Sequence, residues 1–158
     1  MRITSLAAAM ALFVPPATTL TSAGCACSLI DLHQGLRVDL AIPEAPDTYR
    51  IEVDAEGEVL SLSLQVTGPS ETLCLDGGCQ VVGERVMLVD GFPSEGHRLA
   101  VRISSLEEEG GPETATVRVF RGGALAAEDT FEPRYETDYP NGRGCGKHVH
   151  ASASLVVP

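Results

Sequence analysis

The amino-acid sequence predicts an all-β fold: an immunoglobulin-like antiparallel β-sandwich of about eight or nine short strands. Between Tyr49 and Val66, apolar and polar residues alternate on both sides of Glu56-Gly57. A period of two places the apolar side chains on one face of a β-hairpin. Similar runs recur along the chain, with a turn signal about every ten residues and no helical period. Because a second sheet must cover this apolar face, a sandwich is the expected architecture.

Each strand is predicted from the same alternation, and the segments between strands are rich in Gly, Pro and acidic residues. The predicted strands span residues 36–42, 49–54, 60–66, 85–89, 99–103, 115–120, 125–131 and 149–157, with short strand ends at 72–75 and 80–82. Gly122-Gly123 suits a two-residue hairpin turn, because glycine adopts positive φ readily. Residues 132–146 contain Pro and Gly and are predicted to be irregular.

The composition limits the functions to consider. The chain has 158 residues, which suits one domain, and a formal net charge of −11. An acidic surface repels phosphate groups, and no basic patch compensates, so nucleic acid is not an expected partner. With no Trp and 4% aromatic residues, the core must be built mainly from Val, Leu, Ile and Ala.

Residues 1–24 differ from the rest of the chain and predict a secretory signal peptide. Arg2 precedes an apolar run over residues 6–14, Pro15-Pro16 ends that run, and small residues lead to Gly24. These are the features of a cleavable leader, and the apolar run is too short to span a bilayer. We therefore expect export, with residues 25–158 forming a single β-sandwich domain.

The end of the leader is compatible with two kinds of cleavage. Thr21-Ser22-Ala23 suits an ordinary signal peptidase, whereas Ser22-Ala23-Gly24-Cys25 resembles a bacterial lipobox, in which the cysteine is acylated. Ser22 stands where a lipobox normally has Leu or another aliphatic residue. We expect lipidation of Cys25 and a location in the bacterial cell envelope, anchored at the periplasmic face or the cell surface. Without the lipid, the protein is expected to be secreted.

The number of cysteines favours the lipid anchor. Five cysteines leave one over when the others form disulfides in an oxidising compartment. With Cys25 acylated, we expect Cys74 to pair with Cys79, and Cys27 with Cys145. The first bridge closes a tight loop, and the second ties the start of the domain to the start of its last strand. A free Cys145, or a bridge between Cys25 and Cys27, is the alternative.

The carboxyl-terminal third of the chain carries a resemblance. It lies in the strand ATVRV at 115–119, the Gly122-Gly123 turn and the segment FEPRYETDYPNGRGCG at 131–146. These stretches resemble a group of uncharacterised bacterial exported proteins, many of them predicted lipoproteins, that also have an early strand pair similar to YRIEV and LSLSLQV. The resemblance implies an immunoglobulin-like domain at a bacterial envelope, and it implies no particular activity.

The strongest candidate for chemistry is the segment around His148 and His150. On a strand, these two side chains point to the same face, near enough for both imidazoles to bind one metal ion. Cys145, if reduced, could be a third ligand, and such a donor set suits Zn²⁺ or copper. The alternative is an ordinary solvated strand face, with Cys145 in a disulfide.

A calcium site and a binding loop are further candidates. Ca²⁺ needs six or more converging oxygen ligands, and acidic residues cluster in several predicted loops. They are Asp54, Glu56, Glu58, Asp76, Asp90 and Glu107 to Glu109. These residues lack the spacing of a calcium-binding loop, so a solvated acidic rim is the simpler interpretation. Glu132, Tyr135, Glu136 and Tyr139 could line a binding surface, or the tyrosines could cover one end of the sandwich.

These observations lead to one expected function and one alternative. The sequence contains neither a G-x-S-x-G nor an H-E-x-x-H motif, so we expect no enzyme. We expect a non-enzymatic binding or structural module of a bacterial envelope. Its expected partners are an envelope protein or extracellular ligand, and the membrane through its lipid anchor. The alternative is a small envelope protein that binds Zn²⁺ or copper through His148 and His150; otherwise no cofactor is expected.

Lipidation predicts a specific mature mass. Protein extracted from its native membrane should begin at Cys25 and carry acyl chains, because the thiol at the cleavage site accepts the lipid. The Cys25→Ser variant should move to the soluble fraction. An intact mass that begins at Gly24 and contains no lipid would contradict the prediction.

Overall fold

A computed structural model describes residues 34–43, 46–68, 72–75, 79–91, 99–107, 109–140, 142 and 146–158. Several residues discussed above lie outside these ranges, so the predictions made for them stay predictions. They are Cys25, Cys27, Asp76, Glu108, Cys145 and the leader 1–24.

Every regular element among the described residues is a β-strand, and the β-sandwich is confirmed. The eleven strands are β1 (Gly35–Ala41), β2 (Asp47–Ala55), β3 (Glu58–Val66), β4 (Thr72–Cys74), β5 (Gln80–Val82), β6 (Val86–Gly91), β7 (Leu99–Ser105), β8 (Ala115–Arg121), β9 (Ala124–Phe131), β10 (Glu136–Asp138) and β11 (His148–Val156). One sheet has the order β10-β11-β1-β7-β6-β5, and the other has the order β4-β3-β2-β8-β9. The immunoglobulin-like assignment stays a prediction.

The central hairpin forms in the register that the alternation predicts. Ile51 lies opposite Leu62 in the β2–β3 ladder, so the two apolar faces coincide. The turn residues Glu56 and Gly57 have φ values of 53° and 81°. Positive φ at both central positions is the geometry of a type I′ turn, whose twist matches that of the flanking strands.

The core lies between the two sheets and is almost entirely aliphatic. Its buried apolar residues come mainly from β1, β2, β3, β6, β7, β8 and β11. Residues that are at most 2% exposed include Leu36, Val38, Leu40, Tyr49, Ile51, Val53, Leu62, Leu64, Val66, Val86, Leu88, Leu99, Val101, Ile103, Val117 and Val119. Each fully buried Leu, Ile or Val stabilises the fold by roughly 1.5–3 kcal/mol. The sandwich is therefore held together by many aliphatic contacts of similar size.

Two features of the sheets were not anticipated from the sequence. Most strand pairs are antiparallel, but β1 and β11 pair in parallel, with Leu36 opposite Ala151 and Leu40 opposite Leu155. In addition, the prediction that residues 132–146 are irregular is wrong at β10, which pairs with β11. All three residues of β10 are exposed and polar, so they show no alternation that would indicate a strand. β10, together with the short strands β4 and β5, raises the count to eleven, above the expected eight or nine.

The disulfide between Cys74 and Cys79 is confirmed, with 5.2 Å between the two Cα atoms. Cys74 is the last residue of β4 in the five-stranded sheet, and Cys79 directly precedes β5 in the six-stranded sheet. The bridge therefore closes the segment in which the chain crosses from one sheet to the other. In the chain-entropy model, closing such a short loop raises the free energy of the unfolded chain by about 2 kcal/mol and stabilises the fold by that amount.

A carboxylate forms a second link between the sheets. Glu58 of β3 accepts backbone hydrogen bonds from Glu84 at 2.7 Å, Arg85 at 3.1 Å and Val86 at 3.2 Å. Glu84 and Arg85 lie in the turn between β5 and β6, and Val86 is the first residue of β6, in the opposite sheet. The hydrogen bonds, first among them that from Arg85, hold the pKa of the Glu58 carboxyl below its ordinary value.

The β3 register can be tested with two neighbouring substitutions. Leu62 is 2% exposed, so Leu62→Asp should lower the free energy of unfolding by about 4 kcal/mol or more, because it buries an unpaired carboxylate. Ser63 points to the opposite face, across from Arg50, and Ser63→Asp should change stability by less than about 1 kcal/mol. Equal melting temperatures for the two variants would show that the register is wrong.

The Glu58 link predicts a pH dependence of stability. A carboxyl whose pKa is lowered by folding stabilises the native state above its unfolded pKa, near 4.5, and loses this effect as pH falls through the folded value. Glu58→Gln should therefore destabilise the protein at pH 7, and the difference from wild type should shrink below pH 4.5. Urea unfolding at both pH values measures this difference. Glu84→Gln, on the exposed turn that Glu58 contacts, is the control and should behave like wild type. A constant difference across the pH range would show that the Glu58 charge is not involved.

Candidate functional site

The two histidines lie on the outer face of β11. Val149 and Ala151, which alternate with them, point into the core and are 8% and 6% exposed. The period of two therefore turns His148 and His150 away from the core, both to the same side. Their rings stack with 4.5 Å between centroids and 13° between planes. The two imidazoles thus lie side by side on β11, next to the edge strand β10 of the six-stranded sheet.

An acidic residue of β10 completes the cluster. Asp138 lies opposite His148 in the β10–β11 ladder, and its Oδ1 is 3.1 Å from Nδ1 of His148. Glu136 lies opposite His150 in the same ladder. The side chain of Asp138 is 50% exposed and that of His148 is 17% exposed. A carboxylate at this position can fix the orientation and the tautomer of the imidazole beside it.

The Nδ1 atom of His150 is the unusual feature of the site. It is buried, and it has no hydrogen-bond partner among the described residues. Most buried polar atoms in folded proteins have a partner, and one without a partner calls for an explanation such as a bound ion or water. In the neutral tautomer with its proton on Nε2, Nδ1 carries a lone pair that can bind a metal ion, and no described residue uses it.

Three potential metal ligands lie close to one another. One potential ligand atom from each of Asp138, His148 and His150 lies within 4.8 Å of the other two. Zinc ligands lie about 2.0–2.2 Å from the metal, so two of them can be up to about 4 Å apart. Because 4.8 Å exceeds this separation and the two stacked rings are nearly parallel, an ion would bind only after the side chains rotate toward it. Two imidazoles and one carboxylate form a donor set that suits Zn²⁺ and copper.

The sequence identified two members of this cluster and missed the third. His148 and His150 were visible because their spacing matches the strand period. Asp138 lies ten residues before His148 in a segment without periodicity, and only the β10–β11 pairing brings it close. Cys145, the third ligand considered from the sequence, lies outside the described residues.

The acidic residues considered for calcium have different partners. Arg118 lies 3.9 Å from Asp54, and Glu58 binds backbone N–H groups of the β5–β6 turn. Glu107 pairs with Arg85 at 3.1 Å. Among the described residues, the carboxylates near the β2–β3 turn do not form a group that could hold an ion.

The residues proposed for a binding surface occupy different environments. Glu132, Glu136 and Tyr139 are exposed, whereas the hydroxyl of Tyr135 donates a 2.9 Å hydrogen bond to the Pro112 carbonyl. Burial raises the pKa of the Tyr135 hydroxyl well above its ordinary value. A Cβ atom at Gly111 would lie 2.4 Å from that hydroxyl, so a larger residue there would displace it. This packing agrees with the alternative in which Tyr135 covers one end of the sandwich.

No family model, curated protein or solved structure that was compared with this chain matches it. The described residues contain no helix that is long and apolar enough to cross a membrane. The resemblance to exported bacterial proteins therefore stays an expectation, and any functional conclusion depends on the geometry of the site.

Proposed function

We propose that this chain is an exported, non-enzymatic binding module that holds a transition-metal ion, Zn²⁺ or copper, at Asp138, His148 and His150. The observation that carries the proposal is the buried Nδ1 of His150, which has no partner among the described residues and lies beside a second imidazole and a carboxylate. A metal ion satisfies such a nitrogen and uses the nearby donors at the same time.

The three side chains have separate roles in this proposal. His148 and His150 supply neutral imidazole nitrogens, which are ordinary ligands of Zn²⁺ and copper. Asp138 either adds an oxygen ligand or accepts the N–H of His148 and directs the other ring nitrogen to the ion. Three protein groups leave at least one coordination position for water or for a group of a partner.

The position of the cluster favours binding over catalysis. It lies on an outer sheet face, with Asp138 half exposed, where the edge strand β10 pairs with β11. Enzymes usually enclose their substrates in a cleft with several converging polar groups. A module exported to the envelope, as the leader and Cys25 suggest, would use such a site to retain or present an ion at the cell surface or in the periplasm.

Metal titration tests the proposal directly. After treatment with a chelator, the mature protein should bind one equivalent of Zn²⁺ or Cu²⁺, measured by calorimetry and by metal analysis after gel filtration. His148→Gln and His150→Gln should each weaken binding at least about tenfold, which is the usual effect of losing part of a metal site.

The control for these variants is Ser152→Ala, on the same face of the same strand, which should bind like wild type. Lack of stoichiometric metal binding by wild type would overturn the proposal. The general binding or structural module expected from the sequence would then remain.

Metal binding should also stabilise β10. The ion would join Asp138 of β10 to two residues of β11, and β10 has three exposed side chains and no buried apolar one. Hydrogen exchange at the amides of Glu136–Asp138 should therefore slow when metal is added, and Asp138→Asn should reduce this protection. Unchanged exchange in the presence of bound metal would show that Asp138 is not a ligand, even if both histidines are.

A further inference from the structure

The sheet edges of this sandwich differ in length. The five-stranded sheet ends at β4 and β9, and the six-stranded sheet ends at β5 and β10. β4, β5 and β10 have three residues each, whereas β9 has eight. Short outer strands are a common protection against unwanted strand pairing. Among the described residues, β9 pairs on one side with β8, with a bulge at Ala126, and presents the other side as an edge of eight residues.

The first half of β9 is an uncharged edge with an apolar side chain at its surface. The residues from Ala124 to Ala127 include no charged residue and no proline. Leu125 is 56% exposed and lies opposite Phe120 of β8. The Arg50 guanidinium covers the Phe120 ring, with its carbon 3.9 Å from the centroid. Leu125 is thus an exposed apolar contact at the edge, beside an ordered aromatic ring.

The second half of β9 carries an acid on each face of the sheet. Glu128 lies opposite Arg118 in the β8–β9 ladder and forms an ion pair with it at 2.5 Å. Asp129 lies opposite the buried Val117, so it is on the inner face, yet it is exposed. An inward-pointing charge on an edge strand disfavours the addition of another strand, so a strand that pairs here needs a basic side chain beside Asp129.

We propose that β9 is a docking edge, which takes an extended segment of a partner protein as an additional strand of the five-stranded sheet. Backbone hydrogen bonds along the edge would supply affinity, and cross-strand pairs would select the sequence. The partner segment that fits this edge places an apolar side chain opposite Leu125 and basic side chains opposite Glu128 and Asp129. This edge belongs to the five-stranded sheet, whereas the histidines lie on the six-stranded sheet. Binding at the edge therefore does not depend on the metal ion.

Charge distinguishes this occupant from a second copy of the chain. β9 contains two acidic residues and no Lys or Arg, so a second β9 would offer no base to either acid. Two copies also each carry a net charge of −11, which opposes their association at low salt. A basic extended segment has the opposite charge and is attracted to the same edge.

The proposal can be tested with short peptides and isotope-labelled protein. The probe is a capped eight-residue peptide with two adjacent Lys residues at positions 3 and 4, one for each face of the sheet, and alternating Val and Thr in its second half. It should cause saturable chemical-shift changes in the amides of β9. Its counterpart with Glu in place of Lys should bind at least about tenfold more weakly, because cross-strand attraction becomes repulsion. A version that is N-methylated at alternate amides should not bind.

Two charge reversals provide a matched pair of variants. Asp129→Lys should weaken binding of the Lys peptide about tenfold and strengthen binding of the Glu peptide. Glu84→Lys makes the same change of charge on the exposed β5–β6 turn and should leave both affinities as in wild type. Circular dichroism establishes that both variants fold.

Four outcomes would overturn the proposal. They are the absence of shifts in β9, equal binding of the N-methylated peptide, equal behaviour of the two variants, and dimerisation through β9 in sedimentation experiments.

Discussion

Contact between two aliphatic sheet faces is the interaction on which the rest of this structure depends. With no Trp, the core cannot rely on a few large aromatic anchors, so it needs many Val, Leu and Ile residues in the correct register. A shift of one residue along any strand would move its apolar set to the solvent. The type I′ turn at Glu56-Gly57, the Cys74–Cys79 disulfide and the Glu58 hydrogen bonds hold this register where strands end or the chain changes sheets.

Much of the fold could be predicted because its main signal is local. The alternation in β2 and β3 is present within a few residues, and so are the turn at Glu56-Gly57 and the spacing of Cys74 and Cys79. The parallel pairing of β1 with β11 could not be predicted in the same way, since it joins opposite ends of the domain. β10 was missed for a different reason. Its three residues are all polar and exposed, so they show no apolar pattern, and they form a strand because they pair with β11.

In the candidate site, too, the features with a local sequence signal could be predicted and those that depend on distant strand pairing could not. The strand period brought His148 and His150 to one face in the prediction and does so in the structure. Asp138 joined them only through the pairing of β10 with β11, and the buried Nδ1 of His150 depends on surroundings that no pattern encodes. The β9 edge also has no local signal, because ALAAEDTF reads as an ordinary strand until the topology places it at the margin of its sheet.

The parallel pairing of β1 with β11 has a consequence for an exported chain. Gln34 and Lys147, at the start of these strands, are separated by 113 residues and lie within hydrogen-bond distance. β1 is an interior strand of the six-stranded sheet. A chain that crosses a membrane from its amino terminus delivers β1 early and β11 late. Until β11 has crossed, one side of β1 has no native partner, and contacts this distant in sequence form slowly. If the chain is exported as proposed, there is an interval in which β1 can pair with foreign strands, and the length of this interval depends on the speed of translocation.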